Sequence, residues 1–372
     1  MAPLFTLGFS SHRVEVLPAA LELMGRHQAV ILEEAPEPDF PAMLAGETGI
    51  EEYLADKEVE FPRFTREELE GLRRLHRQGV EVLQVEPYLA RLLGIHEALA
   101  DGRPREEVEA RPEFREVYAA ETRATGALLR FYRLAHTAPF PAVVSAVQDF
   151  ARADAARFRL RDVLRAEALA ALGGRYSRLY VEAGYIHLYL VKALRRQSGP
   201  KAVRPVFLLA GRSRALCGRP RPLGPGDVLT LRSIFGQEMA PDTEALLAAQ
   251  SLIHIQLLEK EELLPGREAA PHLVDEVRAR RLSTALTYRD CEALYPRVRT
   301  SLPPRRWPPW RAIWPPPAAS RRPPRLEGSG LPRLRPAPPR FPVHIPGPCS
   351  APPDESGGRS GPGSGVRGRN PG

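Results

Sequence analysis

The chain has 372 residues, enough for a substantial core, and its formal net charge of +8 is unevenly placed. From position 301 onward there are 12 arginines against three acids, whereas residues 1–300 hold 41 basic and 42 acidic side chains. A neutral body lacks the electrostatic footprint of a nucleic-acid binder, and no stretch is apolar for long enough to span a membrane. Cys217, Cys291 and Cys349 are odd in number and far apart, so neither a disulfide framework nor a cysteine zinc site is expected, and a cytoplasmic setting fits.

Residues 1–9 are apolar but lack a basic leader and a small-residue cleavage site, so no signal peptide is expected. Residues 3–7 read as a first strand, followed by Gly8-Phe9-Ser10-Ser11-His12. Val14, Val16, Leu17, Ala20, Leu21 and Met24 give a helical stripe, closed at Gly25. Residues 29–32 are a short apolar run with the length of a buried parallel strand, ending on Glu33-Glu34. Thr65 and Glu68 have capping-box spacing before a helix that runs to Gln78, and residues 80–85 form a third strand ending at Glu86-Pro87. This alternation predicts a parallel sheet with right-handed crossovers.

Residues 88–173 are helical in pattern almost throughout, with breaks near Pro104, Pro112 and Pro139, and read as an insertion between the third and fourth strands. In RLYVEAGYIHLYL, residues 178–190, Leu179 to Val181 read as a buried strand and Ile186, Leu190 and Val191 as a helix. Gly184 marks the junction, placing Glu182 near the strand's carboxyl end and His187 in the first helical turn. A further strand over 202–210 and helices over 243–264 and 272–284 complete the body. After position 300 the chain holds 20 of the 40 prolines and all three tryptophans without periodicity, so residues 301–372 are expected to be a disordered Pro/Arg-rich tail. Its composition reads as translation outside a selected element, the alternative being a polyproline ligand for an SH3-like partner. The expected fold is therefore α/β: one domain over 1–300 with a mostly parallel sheet and a large helical insertion at about 88–173.

In open α/β sheets ligands bind at the carboxyl edge. His12, Glu33, Glu182 and His187 all follow strands and would meet there, Glu33 being a strand-end carboxylate that needs a partner. Two imidazoles with carboxylates suit a divalent metal that activates water; without a metal, one histidine serves as general base and a glutamate orients it. Glu86 reads as a surface loop residue, and His254 and His272 as packing or surface residues. No nucleophile elbow of the Gly-x-Ser-x-Gly type is present.

At these residues the body resembles the superfamily that joins TraB/PrgY and Tiki proteins with ChaN and the erythromycin esterases. The resemblance rests on Gly8 to His12, Glu33 in ILEE, Arg161-Asp162 in RLRDVLRAEAL, and Gly184-Tyr185-Ile186-His187, over roughly the first 200 residues. The first motif carries one extra residue before its histidine, and Phe9 stands where the esterases have Glu. What the resemblance implies is an α/β hydrolase of an ester, amide or peptide bond, with a small-molecule or peptide substrate. His12, Glu33, Arg161 and His187 would be catalytic. His12, Glu33, Glu182 and His187 would hold a metal such as Mn, Co or Zn. The alternative is a non-catalytic protein on the same fold that binds a metal, haem or another ligand.

Overall fold

The computed structural model describes residues 3–299, apart from positions 56 and 58. Five strands, β1 (Leu4–Ser10), β2 (Ala29–Leu32), β3 (Glu81–Gln84), β4 (Arg178–Gly184) and β5 (Val203–Phe207), form one sheet in the order β3-β2-β4-β1-β5. Every pairing is parallel, so the carboxyl ends share one rim and the fold is α/β. The tail expected over 301–372, with Cys349 and the tryptophans, lies outside the described residues.

A 3-10 turn at Val14–Val16 leads into α1 (Leu17–Met24), which connects β1 to β2. Then α2 (Phe40–Ala45), α3 (Ile50–Leu54) and α4 (Pro62–Arg77) lead to β3. The insertion before β4 consists of α5 (Pro87–Ala100), α6 (Arg105–Ala110), α7 (Pro112–Thr137) and α8 (Phe140–Leu172). Between β4 and β5 lies α9 (Tyr189–Ser198). The chain continues through α10 (Ala210–Cys217), α11 (Pro225–Ile234), α12 (Pro241–Leu257), α13 (Pro271–Thr284) and α14 (Tyr288–Val298). Among the described residues no helix is long and apolar enough to cross a membrane.

Both faces of the sheet are covered. Phe5, Leu7, Phe9, Ile31 and Val181 pack with Ala166 and Leu169 of α8 and with Leu190 and Leu194 of α9. On the other face, Val30, Leu32 and Tyr180 pack with Met24 of α1, Leu72 of α4 and Leu273 of α13. All four residues of β2 are buried, as a strand covered on both sides requires. Each large side chain buried this way contributes about 1.5–3 kcal/mol, which fixes the register and hence the height of every strand end along the rim.

Several boundaries differ from the sequence reading. β1 runs past residue 7, and Gly8 lies inside it opposite Glu182. A Cβ at Gly8 would sit 2.0 Å from the Tyr180 hydroxyl oxygen, so this glycine makes room for a ring. α4 opens a turn early at Pro62, whose missing N–H is harmless in a first turn, so Thr65 and Glu68 are helix-interior residues instead of a cap. β5 stops at Phe207, and α10 begins where strand was expected; α12 ends at Leu257.

Candidate active site at the carboxyl rim

The β2–β4 ladder ends at Ile31 opposite Val181, and side chains then take over the free backbone donors. The Glu33 N–H donates to Glu182 Oε2 at 3.2 Å, and the Gly184 N–H donates to Glu33 Oε2 at 2.7 Å. Each carboxylate thus caps the other strand. A buried N–H left unpaired costs about 1–3 kcal/mol, so this reciprocal clasp holds both acids in place. It also turns Glu33 inward, while Glu34 reaches solvent and accepts from Gln84 Nε2 at 2.8 Å.

His187 sits in the turn between β4 and α9, not in the helix's first turn. It is 3 % exposed and both ring nitrogens are engaged: Nδ1 lies 2.6 Å from Asp162 Oδ1 and Nε2 lies 2.8 Å from Glu33 Oε1. Burial opposes a charge on the ring, but Glu33 and then Asp162 outweigh it and raise His187 to about 9. Burial likewise opposes the Glu33 charge, yet His187, Arg165 and Arg161 hold that carboxyl well below its usual range. Phe158 meets the imidazole edge to face, with ring centroids 5.3 Å apart. The pair is an imidazolium–carboxylate ion pair at neutral pH.

Arg161 and Arg165 reach the rim from α8. The Arg161 NH2 nitrogen divides between Glu33 Oε1 at 3.3 Å and Glu86 Oε2 at 3.4 Å, and does not simply pair with its neighbour Asp162. Arg165 is fully buried, donates Nε to the Val85 carbonyl at 3.0 Å and lies 3.7 Å from Glu33. Glu86, expected on the surface, is 1 % exposed and also accepts from the Tyr88 N–H at the start of α5. Two guanidinium groups face it, Arg161 at 3.4 Å and Arg165 at 3.8 Å, and compensate its burial.

Across Gly184 lies a second, more open group. His12 occupies the loop after β1 with φ of 51°, a left-handed conformation rare for residues with a side chain. Its Nε2 is buried, makes no hydrogen bond, and lies 3.6 Å from Glu182 Oε1. The other ring nitrogen makes no hydrogen bond to any described residue, and about a third of the side chain is exposed. Behind Glu182, the buried Glu68 carboxyl is hydrogen-bonded to it; burial, and then Glu182 and Glu34, push Glu68 well above the usual range.

The two groups meet at one point: a Cβ placed on Gly184 would lie 3.7 Å from His12 Cε1, 3.7 Å from His187 Cδ2 and 3.8 Å from Glu33 Oε2. His12, Glu33, Arg161, Glu182 and His187 are thus brought together along the rim. Among the described residues no group of three or more His, Cys, Asp or Glu side chains is disposed to hold a metal ion. His187, expected as a ligand, has both ring nitrogens within hydrogen-bond distance of carboxylates, Nδ1 facing Asp162 and Nε2 facing Glu33.

Arg165, Glu68 and the buried role of Glu86 escape a motif search. Arg165 follows Arg161 at i+4 and so shares its helix face, which is the signal in RLRDVLR. Glu68 interrupts the apolar stripe Phe64, Leu72 and Leu75 of α4, and an acid inside such a stripe is the sign of a buried partner.

No family model matches the chain, and no solved structure matches it. It is 30% identical over 292 residues to an uncharacterized protein of Archaeoglobus fulgidus, an alignment that covers 77% of this chain and 96% of the archaeal protein. With that identity over nearly the whole relative, the chain belongs to the same family as this Archaeoglobus fulgidus protein.

Proposed function

We propose that the protein is a hydrolase of an ester, amide or peptide bond, resembling the TraB/Tiki and erythromycin-esterase superfamily and working by general acid–base chemistry. The observation that carries this reading is the convergence of His12, His187 and Glu33 on Gly184. His12, partly exposed and backed by Glu182 at Nε2, takes a proton from the attacking water through Nδ1. Glu182 balances the charge that His12 acquires, and burial holds the Glu68 carboxyl behind it well above the usual range. The His187 imidazolium and Arg161, whose Nε is buried without a partner, supply positive charge where an oxyanion develops. The substrate of this reading is a small molecule or a peptide, reaching His12 from its exposed side. The neutral body gives no support to nucleic-acid binding, and the free thiols Cys217 and Cys291 support a cytoplasmic setting.

The test is turnover by the purified full chain on p-nitrophenyl esters, 4-nitroanilides and short peptides, beside His12→Asn and Glu33→Gln. A rate that falls at least about a hundredfold in both variants is expected, the scale of one lost acid–base group. No turnover on any substrate class, or variants as fast as the parent, overturns the proposal.

A further inference from the structure

A recess of about 220 Å³ opens beside the rim, larger than the roughly 150 Å³ that accommodates benzene in an apolar cavity. Its near wall is Tyr185 and Ile186, the two residues between Gly184 and His187, so the turn that carries the site also shapes the recess. The remaining walls are apolar where Leu223, Pro222 and Leu258 line it. Gly224 closes it over the His254 imidazole, whose Nε2 would lie 2.5 Å from a Cβ there.

The acidic groups of the lining are Asp227 of α11 and Glu276 of α13, and no Lys or Arg side chain lines it. Asp227 accepts from the Gly224 N–H at 2.8 Å. Glu276 makes no hydrogen bond and no ion pair within 4 Å among the described residues. Two guanidinium groups act on these acids from outside the lining: Arg13, 3.5 Å from the Phe61 ring centroid, faces Glu276, and Arg221, 4.6 Å from that of Phe207, faces Asp227. His254 adds no positive charge, because burial lowers it to about 4.

We propose that this recess binds a primary ammonium group carried on a short aliphatic chain, and that this group belongs to the substrate. The apolar walls take the methylenes, and Glu276, with Asp227 beside it, takes the cation as a charge-assisted hydrogen-bond partner. The assignment to a substrate rests on the hydrolase reading; the binding itself does not. Burial pushes the Glu276 carboxyl up to about 8, against Arg13, with Asp227, Glu15 and Asp275 acting in the same direction as burial. Three acids stand against the one guanidinium around this carboxyl, and a bound ammonium adds a second positive charge, so binding releases a proton and strengthens as pH rises from 6 to 8.

The probe is n-pentylammonium chloride, with 1-pentanol as its neutral counterpart, titrated calorimetrically into the purified full chain. The expected result is pentylammonium binding at least tenfold tighter than pentanol, reduced to the pentanol level by Glu276→Gln and abolished by Leu223→Trp, which fills the recess. Equal affinity for the two probes, no binding of either, or an unaltered Glu276→Gln variant overturns the site. For the substrate role, a 6-aminohexanoyl p-nitrophenyl ester is compared with the hexanoyl ester. At least a tenfold preference for the cationic ester in kcat/KM is expected, and equal rates overturn the assignment to substrate even where pentylammonium binds. Turnover of both esters without that preference leaves the hydrolase reading standing, so the two failures are distinct.

Discussion

Nδ1 of His187 lies 2.6 Å from Oδ1 of Asp162, and this contact decides which ring nitrogen is left to face Glu33. Asp162 comes from α8 and His187 from the turn after β4, so an inserted helix orients an imidazole that the sheet delivers. Asp162→Asn replaces a carboxylate by an amide of the same shape. The His187 imidazole is then expected to titrate lower than about 9, and turnover to fall at least about a hundredfold. Ring-proton shifts followed against pH measure the first effect, and an unchanged titration rules out the orienting role.

Stability is expected to decline between neutral and alkaline pH. His187 moves from 6.5 in the unfolded chain to about 9 in the folded one, so its stabilisation is complete below 6.5 and lost as pH rises through 9. That shift corresponds to roughly 3 kcal/mol. Glu68 and Glu276, whose carboxyls are also raised, act in the same direction. Glu33 acts oppositely, its stabilisation being lost as pH falls below the usual carboxylate range. Urea midpoints measured from pH 6.5 to 9 check the sign, and a flat profile contradicts it.

Gly8→Ala is expected to destabilise the chain by about 1–3 kcal/mol, because the new methyl meets the Tyr180 ring inside a packed core. The urea midpoint of the variant gives the number. A midpoint equal to the parent's would mean that Tyr180 has room to turn aside.

Chelation is expected to leave turnover unchanged, since both His187 nitrogens are committed to Asp162 and Glu33. Dialysis against EDTA followed by assay, with metal content measured before and after, tests this. Activity that vanishes with the metal and returns on adding Mn, Co or Zn would restore the ligand set first expected at His12, Glu33, Glu182 and His187.

Much of the architecture was legible because burial on both faces writes itself as continuous apolar runs. AVIL at 29–32 coincides with β2, and the long helical stretch after Glu86 is the connection to β4. Strand-end acids were visible for the same reason, since Glu33 and Glu182 stand where apolar runs stop. What stayed hidden depends on partners distant in sequence. Glu86 looks like any loop glutamate until Arg161 and Arg165 arrive 75 and more positions later to bury it. Glu68 has capping-box spacing that Pro62 overrides, and its true partner is Glu182. His187 was placed one turn too deep in a helix because the Gly184 junction spends four residues before α9 begins.

The strand order has a temporal consequence. Among the described residues β1 pairs with β4 and β5 alone, so during synthesis it waits some 170 residues for a neighbour. β2 and β3 are able to pair with each other in the meantime. Such long-range closure is slow, and Phe5, Leu7 and Phe9 remain uncovered while it is pending. The sheet is complete only when β4 slots between β1 and β2.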